Sequence, residues 1–328
     1  MKLFIKIIAF LIGCIFILLL VIGSNPALLD KYEHCFPNPY RYGDLYMLSN
    51  MPGYRVKNDK KVKPIFTHQN KATTLTIIGD SYTQHFDSSY FNVSDYKFIH
   101  WDALPDTIEK TDSSKKNILI IESTERYLRW RFLKNQLLTI GTKAVVSKEP
   151  EPIKLLAESN LQYMTNNYDW ELSFKELKTL VHLNLFDKFS PTVGKPDKSG
   201  RLYLSETTDP ANNSSSFILI PAAEVKNLVQ NLNTISTDLK KMGYDEVYIS
   251  IIPNAATLYK TDGLTYNQLI PRIQKDSTVR FNFIDLYKPF KEEAHSVFLF
   301  NDSHWNELGK MIWLVQVNSI IDKASKQL

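Results

Sequence analysis

Thr73-Thr74-Leu75-Thr76-Ile77-Ile78-Gly79-Asp80-Ser81 is the stretch whose reading decides the fold. A short β-branched and aliphatic run ends abruptly in a Gly-Asp-Ser turn, which predicts a buried strand over 73–78. Working outward, Tyr96–His100 (YKFIH), Ile118–Ile121 (ILII), Val247–Ile252 (VYISII) and Phe281–Leu286 (FNFIDL) carry the same signature. Between the later runs the apolar period changes to that of a helix. Val225, Leu228, Val229, Leu232, Ile235, Leu239 and Met242 form one stripe, and Gly243 is placed to stop it. A last helix is predicted from about Trp305 to Lys323. Strands alternating with helices imply parallel pairing with crossovers. The expected fold is α/β: a flavodoxin-like three-layer sandwich with a mainly parallel five-stranded sheet. Residues 131–220 interrupt the alternation. Ile153–Phe186 reads as one or two helices, and Asp187–Ser216 is rich in turn residues, so the block is expected to be a helical and loop insertion.

The first thirty residues have a different logic. Ile7–Gly23 (IIAFLIGCIFILLLVIG) is apolar or small throughout, and no acidic or basic residue follows until Asp30. That length lies near the lower limit for a bilayer-spanning helix. Lys2 and Lys6 precede it, which predicts a cytoplasmic N-terminus and an extracytoplasmic remainder. A cleaved signal peptide is the rival reading; Ser24-Asn25-Pro26-Ala27 matches its cleavage site poorly. Leu11-Ile12-Gly13-Cys14 has the form of a lipoprotein box, but a long apolar run continues past Cys14. The expected organisation is a cytoplasmic end at 1–6, an anchor at 7–29, an extracytoplasmic linker at 30–70, and a catalytic domain at 71–328 with the insertion at 131–220. Arg55, Lys57, Lys60, Lys61 and Lys63 form a basic cluster in the linker, read as a solvated face or a contact for anionic lipid or glycan.

Composition excludes several classes. The 39 basic and 35 acidic residues of the 328 leave a net charge of +4, too balanced for a nucleic-acid binder. Two cysteines exclude a disulfide scaffold and the Cys-rich zinc modules. Cys14 falls in the apolar run, so Cys35 has no intramolecular partner and reads as a small apolar filler. His34, His68, His182 and His295 show no ligand spacing, and no phosphate-binding glycine loop is present. Neither a metal nor a cofactor is expected.

Chemistry enters at two places. A serine at the carboxyl end of the first strand projects into the crevice where open α/β sheets bind ligands. A helix following it would add stabilising amides. Taken alone, Ser81 would be read as a helix cap. The second place is Asn301-Asp302-Ser303-His304-Trp305-Asn306, at the start of the last helix. A serine nucleophile needs a base, and histidine suits neutral pH. The histidine in turn needs a carboxylate to fix its tautomer, and Asp302 stands two positions away. Ser81 and His304 would meet only above the carboxyl edge of the sheet. His85 and Trp101 are lesser crevice candidates, with a core aromatic the plainer reading of Trp101.

These residues resemble the SGNH/GDSL hydrolase superfamily, in particular its AlgX/AlgJ-like or DHHW-like branch. Gly79-Asp80-Ser81-Tyr82 is similar to the nucleophile block, and Asp302-Ser303-His304-Trp305-Asn306 with Gly309 to the late block of that branch. Ile118–Arg126 resembles the third strand followed by a Glu-Arg pair; Pro253-Asn254 and Tyr259 are weaker matches. The resemblance covers about residues 73–130 and 222–323. It implies a serine-dependent acyl-ester enzyme in which Ser81 is the nucleophile, His304 the base and Asp302 its orienting acid. It implies O-acetyl transfer to, or removal from, a cell-envelope or exported polysaccharide, with a membrane acyl-donor protein as partner. Asp80, Tyr82, Glu125, Arg126, Asn254 and Trp305 are its substrate or oxyanion candidates. The sequence departs from the superfamily where no Gly-x-Asn-Asp follows the third strand; Glu125-Arg126 stands there. Two alternatives stay open: a non-catalytic glycan-binding or assembly module on the same fold, and DltD-like D-alanyl transfer.

Overall fold

A computed structural model describes residues 2–37, 41–57, 72–103, 113–133, 160, 164, 168–260 and 263–326. Lys60, Lys61, Lys63, His68 and most of 134–167 lie outside the described residues. The chain forms two compact units. One joins Met1–Asp59 with Val146–Phe189; the other joins Lys60–Val145 with Ser190–Leu328. In chain order the principal elements are α1 (Lys2–Gly23), α2 (Asp44–Ser49), β1 (Thr73–Gly79), β2 (Asp95–His100), β3 (Lys116–Thr124), α3 (Glu125–Leu133), α4 (Asp169–Phe186), α5 (Ala222–Lys241), β4 (Glu246–Ile252), β5 (Asn282–Ile284) and α6 (Glu307–Ser325).

All five strands lie in one sheet of order β2-β1-β3-β4-β5, and every pairing is parallel. Parallel strands require crossovers, and the helices that supply them cover both faces. The pleat of β3 assigns its side chains by turns. Leu119 and Ile121 join the core beneath α5, with Leu228, Val229 and Leu232. Ile118 and Ile120 join the opposite core, with Trp313, Leu314 and Val317 of α6. Each of these side chains is almost fully buried, and burial of an Ile or Leu contributes about 1.5–3 kcal/mol. The α5 stripe is therefore the inner face of a three-layer α/β sandwich. Gly243 follows it at φ +109°, a left-handed conformation that favours glycine.

The strands are longer or shorter than their sequence signals by one to three residues at some ends. β3 reaches Thr124, and β5 shrinks to three residues. One larger difference concerns the chain after β1. Ser81–His85 forms turns, not a helix, and a one-turn 3₁₀ helix follows at Ser88–Tyr90. Local side-chain bonds compete with the helix there: the Tyr82 amide donates to Asp80 Oδ1, and the Ser89 amide to Asp87 Oδ1.

The other unit holds α1, which is apolar along its length (mean hydropathy 3.1), exposed almost throughout, and long enough to cross a bilayer. The segment read as linker is partly ordered in this unit. Tyr42, Leu45, Tyr46 and Tyr54 are buried; the Tyr42 hydroxyl donates to Asp169 and the Tyr46 hydroxyl to Glu176 of α4. Arg55, placed by sequence in the basic cluster, pairs with Glu176 at 3.2 Å. Cys35 is exposed and so fills no core.

Candidate active site

The turns after β1 and β2 and the start of α3, which follows β3 directly, meet at the carboxyl edge of the sheet. The chain runs outward from β1 to β2 and then crosses back to β3, so this edge is the switch point of the strand order, where α/β sheets form their ligand crevices. A cleft of about 710 Å³ opens here, lined among others by Asp80, Ser81 and His100 and by Arg126, Tyr127 and Trp130 of α3.

Ser81 is held by its neighbours. Gly79 is required for space: a Cβ there would stand 2.2 Å from Thr83 Oγ1 and 2.8 Å from Glu122 Oε2. The Glu122 carboxylate, wholly buried, accepts the Asp80 amide (2.9 Å) and the Thr83 hydroxyl (3.0 Å), so β3 grips the turn on both sides of Ser81. Burial, reinforced by the nearby Asp80 charge, pushes Glu122 well above the usual carboxylate range. Asp80 is itself buried and neutralised by Arg131, whose guanidinium reaches Asp80 Oδ2 at 3.1 and 3.2 Å and Ser123 Oγ at 2.9 Å. Arg131 also lies over the Trp101 ring, 4.6 Å from its centroid.

The late block supplies the complement. Asn306 caps α6 by accepting the Gly309 amide at 3.1 Å. Gly309 is again a matter of space, since a Cβ would meet the Val297 carbonyl oxygen at 2.6 Å. The loop before this cap carries His304 to Ser81: Ser81 Oγ and His304 Nε2 are 2.7 Å apart. On the other side of the ring, His304 Nδ1 is 2.6 Å from Asp302 Oδ1. The same carboxylate oxygen accepts the His304 amide at 2.9 Å. An ionised carboxylate only accepts, so Nδ1 carries the proton and Nε2 presents a lone pair to the serine hydroxyl. Tyr82 joins the two loops: its hydroxyl donates to the Ser303 carbonyl at 2.6 Å, and its ring lies 4.6 Å from the imidazole centroid. His85 is near this group; burial first, then the Lys310 and His304 charges, push its pKa down.

The sequence-derived candidates separate into three groups. Ser81, His304 and Asp302 are brought together, with Asp80 and Tyr82 supporting them. Arg126 lines the cleft, its side chain one-tenth exposed, with Glu206 at 3.5 Å as its ion-pair partner. Glu125, Asn254 and Trp305 do not line it. Glu125 is buried and accepts the Asn254 amide (3.0 Å) and the Thr257 hydroxyl (2.6 Å), joining α3 to the loop after β4. Burial raises its pKa, against the hydrogen bonds from Thr257 and Asn254. Trp305 is a core residue packed on Tyr82 and Trp313. Trp101 is likewise a core aromatic, its Nε1 donating to the Glu122 carbonyl at 2.7 Å. Sequence reasoning missed Arg131, Trp130 and the grip of Glu122. The run ERYLRWRFL directly after β3, with three arginines among aromatic residues, was the available signal.

Compared with known proteins, the chain matches no family model, no curated protein and no solved structure.

Proposed function

We propose that the protein is a serine-dependent acyl-ester enzyme of SGNH type. The observation that carries this reading is the Ser81–His304–Asp302 series, with hydrogen-bonding separations of 2.7 and 2.6 Å, whose serine lines a cleft. Ser81 Oγ attacks the ester carbonyl carbon while His304 Nε2 takes its proton. The tetrahedral intermediate then expels the alkoxide, which leaves protonated by His304. Asp302 holds the tautomer and stabilises the imidazolium. Water or a sugar hydroxyl then attacks the acyl-enzyme, giving an esterase in the first case and an O-acyltransferase in the second.

The proposed substrate is an O-acetylated, or acetyl-accepting, cell-envelope or exported polysaccharide. The apolar α1 supports a membrane anchor, and Lys2 and Lys6 support an orientation that leaves the cleft outside the cytoplasm. A half-exposed Trp130 at the cleft wall offers a face for a sugar ring. A membrane protein supplying the acyl group is the expected partner of a transferase.

The test uses full-length protein in detergent. A fluorophosphonate probe is expected to label wild type at Ser81, and p-nitrophenyl acetate is expected to turn over, faster with a glycan acceptor if transfer is the reaction. Ser81→Ala is expected to lose both. Wild type that behaves like Ser81→Ala would overturn the reading.

A further inference from the structure

We infer that Arg126 is a catalytic residue of this site, contributing its guanidinium to the oxygen of the tetrahedral intermediate. The inference rests on the acyl-transfer reading of Ser81 and selects one of its six substrate or oxyanion candidates for one atom of the reaction. When Ser81 Oγ bonds to the carbonyl carbon, the π pair of the C=O bond moves onto oxygen, and donors must already be waiting there. The Ser81 amide has no acceptor among the described residues and supplies one donor. The second must come from a wall of the same cleft.

Three arginines of α3 line that cleft. Two are committed elsewhere. Arg131 is bound to Asp80 and Ser123. Arg129 is bound to Glu224 and to the Asn213 carbonyl. Arg126 differs. Its side chain is nine-tenths buried, and its Nε is buried without a hydrogen-bond partner among the described residues. The Glu206 carboxylate stands 3.5 Å from that nitrogen, an ion pair and not a hydrogen bond. The guanidinium is stacked 4.9 Å from the Tyr127 ring centroid, which holds its plane. It sits on the first turn after β3, and β3 is the strand paired with β1, which ends at the serine turn. A buried, oriented cation with one nitrogen lacking a hydrogen-bond partner among the described residues, sharing a cleft with the nucleophile, suits charge that appears only during reaction. When the alkoxide leaves, the oxygen's pair re-forms the C=O bond and Arg126 returns to its resting contacts, with no proton exchanged.

The experiment compares full-length wild type, Arg126→Met, Arg126→Lys and Glu206→Gln on p-nitrophenyl acetate, a neutral ester with no anion for an arginine to bind. Arg126→Met is expected to lower kcat by about 10²–10³-fold with little change in KM. Arg126→Lys is expected to recover part of the loss, and millimolar guanidinium to raise kcat of an Arg126→Gly variant. Glu206→Gln, which removes the ion pair and leaves the guanidinium, is expected to stay near wild type. A wild type that labels with fluorophosphonate while Arg126→Met keeps its kcat would overturn the role of Arg126 alone. So would a Glu206→Gln variant as impaired as Arg126→Met, or an absence of guanidinium rescue. A wild type that neither labels nor turns over would end the acyl-enzyme reading and this assignment with it.

Discussion

Gly79 and Glu122 are in contact so close that no side chain fits between them: a Cβ on Gly79 would lie 2.8 Å from Glu122 Oε2, and closer still to the Thr83 hydroxyl that the same carboxylate accepts. The serine turn is thereby pressed onto β3. Gly79→Ala is expected to destabilise the fold by about 1–3 kcal/mol through overpacking. It should lower turnover on p-nitrophenyl acetate by about 10²-fold, because misplacing a nucleophile by an ångström carries that cost. Urea unfolding and steady-state kinetics on one preparation check both.

Arg131 and Asp80 form a buried ion pair, each side chain no more than one-tenth exposed. Arg131→Ala is expected to cost about 3–5 kcal/mol, because it leaves a buried carboxylate without its cation. Asp80→Asn in the Arg131→Ala background is expected to recover much of that loss, giving a large coupling energy in a double-mutant cycle. Simple additivity in urea titrations would show that the pair is not the cause.

Glu122 gives a pH dependence with a definite sign. Its folded pKa stands well above the ordinary value of 4.5, chiefly through burial. Between those two values the folded state holds a proton that the unfolded state has released. Stability therefore falls as pH rises from about 4.5 through the raised folded value, then levels off. Glu122→Gln keeps an acceptor for Asp80 and Thr83 and removes the titration. Its melting temperature relative to wild type is expected to rise with pH across that window, as thermal scans in matched buffers will read.

Asp302→Asn leaves the loop geometry nearly unchanged but turns an obligate acceptor into an amide that can present donors to Nδ1. The wrong histidine tautomer is then favoured, and kcat is expected to fall by about 10⁴-fold. Labelling of Ser81 by a fluorophosphonate should slow in parallel. Retention of wild-type rates would remove Asp302 from the mechanism.

Much of this was legible from the chain itself, and the reasons for the remainder are physical. β1, β3 and α5 advertise themselves because strand and helix periods are local properties. Asp302 and His304 are two residues apart, so their pairing could be read directly, and Ser81 is marked by the strand it ends. The Arg131–Asp80 bond spans 51 positions and ends in a segment with insertion-like composition; no local pattern announces it. Glu122 carries no local mark of its partners, and its direction in the pleat sends it beneath the serine turn. Trp305 stands among the substrate or oxyanion candidates that the resemblance implies; only its contacts with Tyr82 and Trp313 reveal a core residue. The helix expected after Ser81 fails because Asp80 and Asp87 satisfy nearby amides and remove the incentive for a regular ladder.

The hydroxyl of Tyr82 bound to the carbonyl of Ser303 is a strut between two loops that otherwise reach the crevice from opposite ends of the polypeptide. It attaches one residue after the nucleophile and one residue before the base. The spacing between the serine and the imidazole is thus steadied by a bond that neither of them makes, and none of the α3 side chains lining the cleft takes part in it.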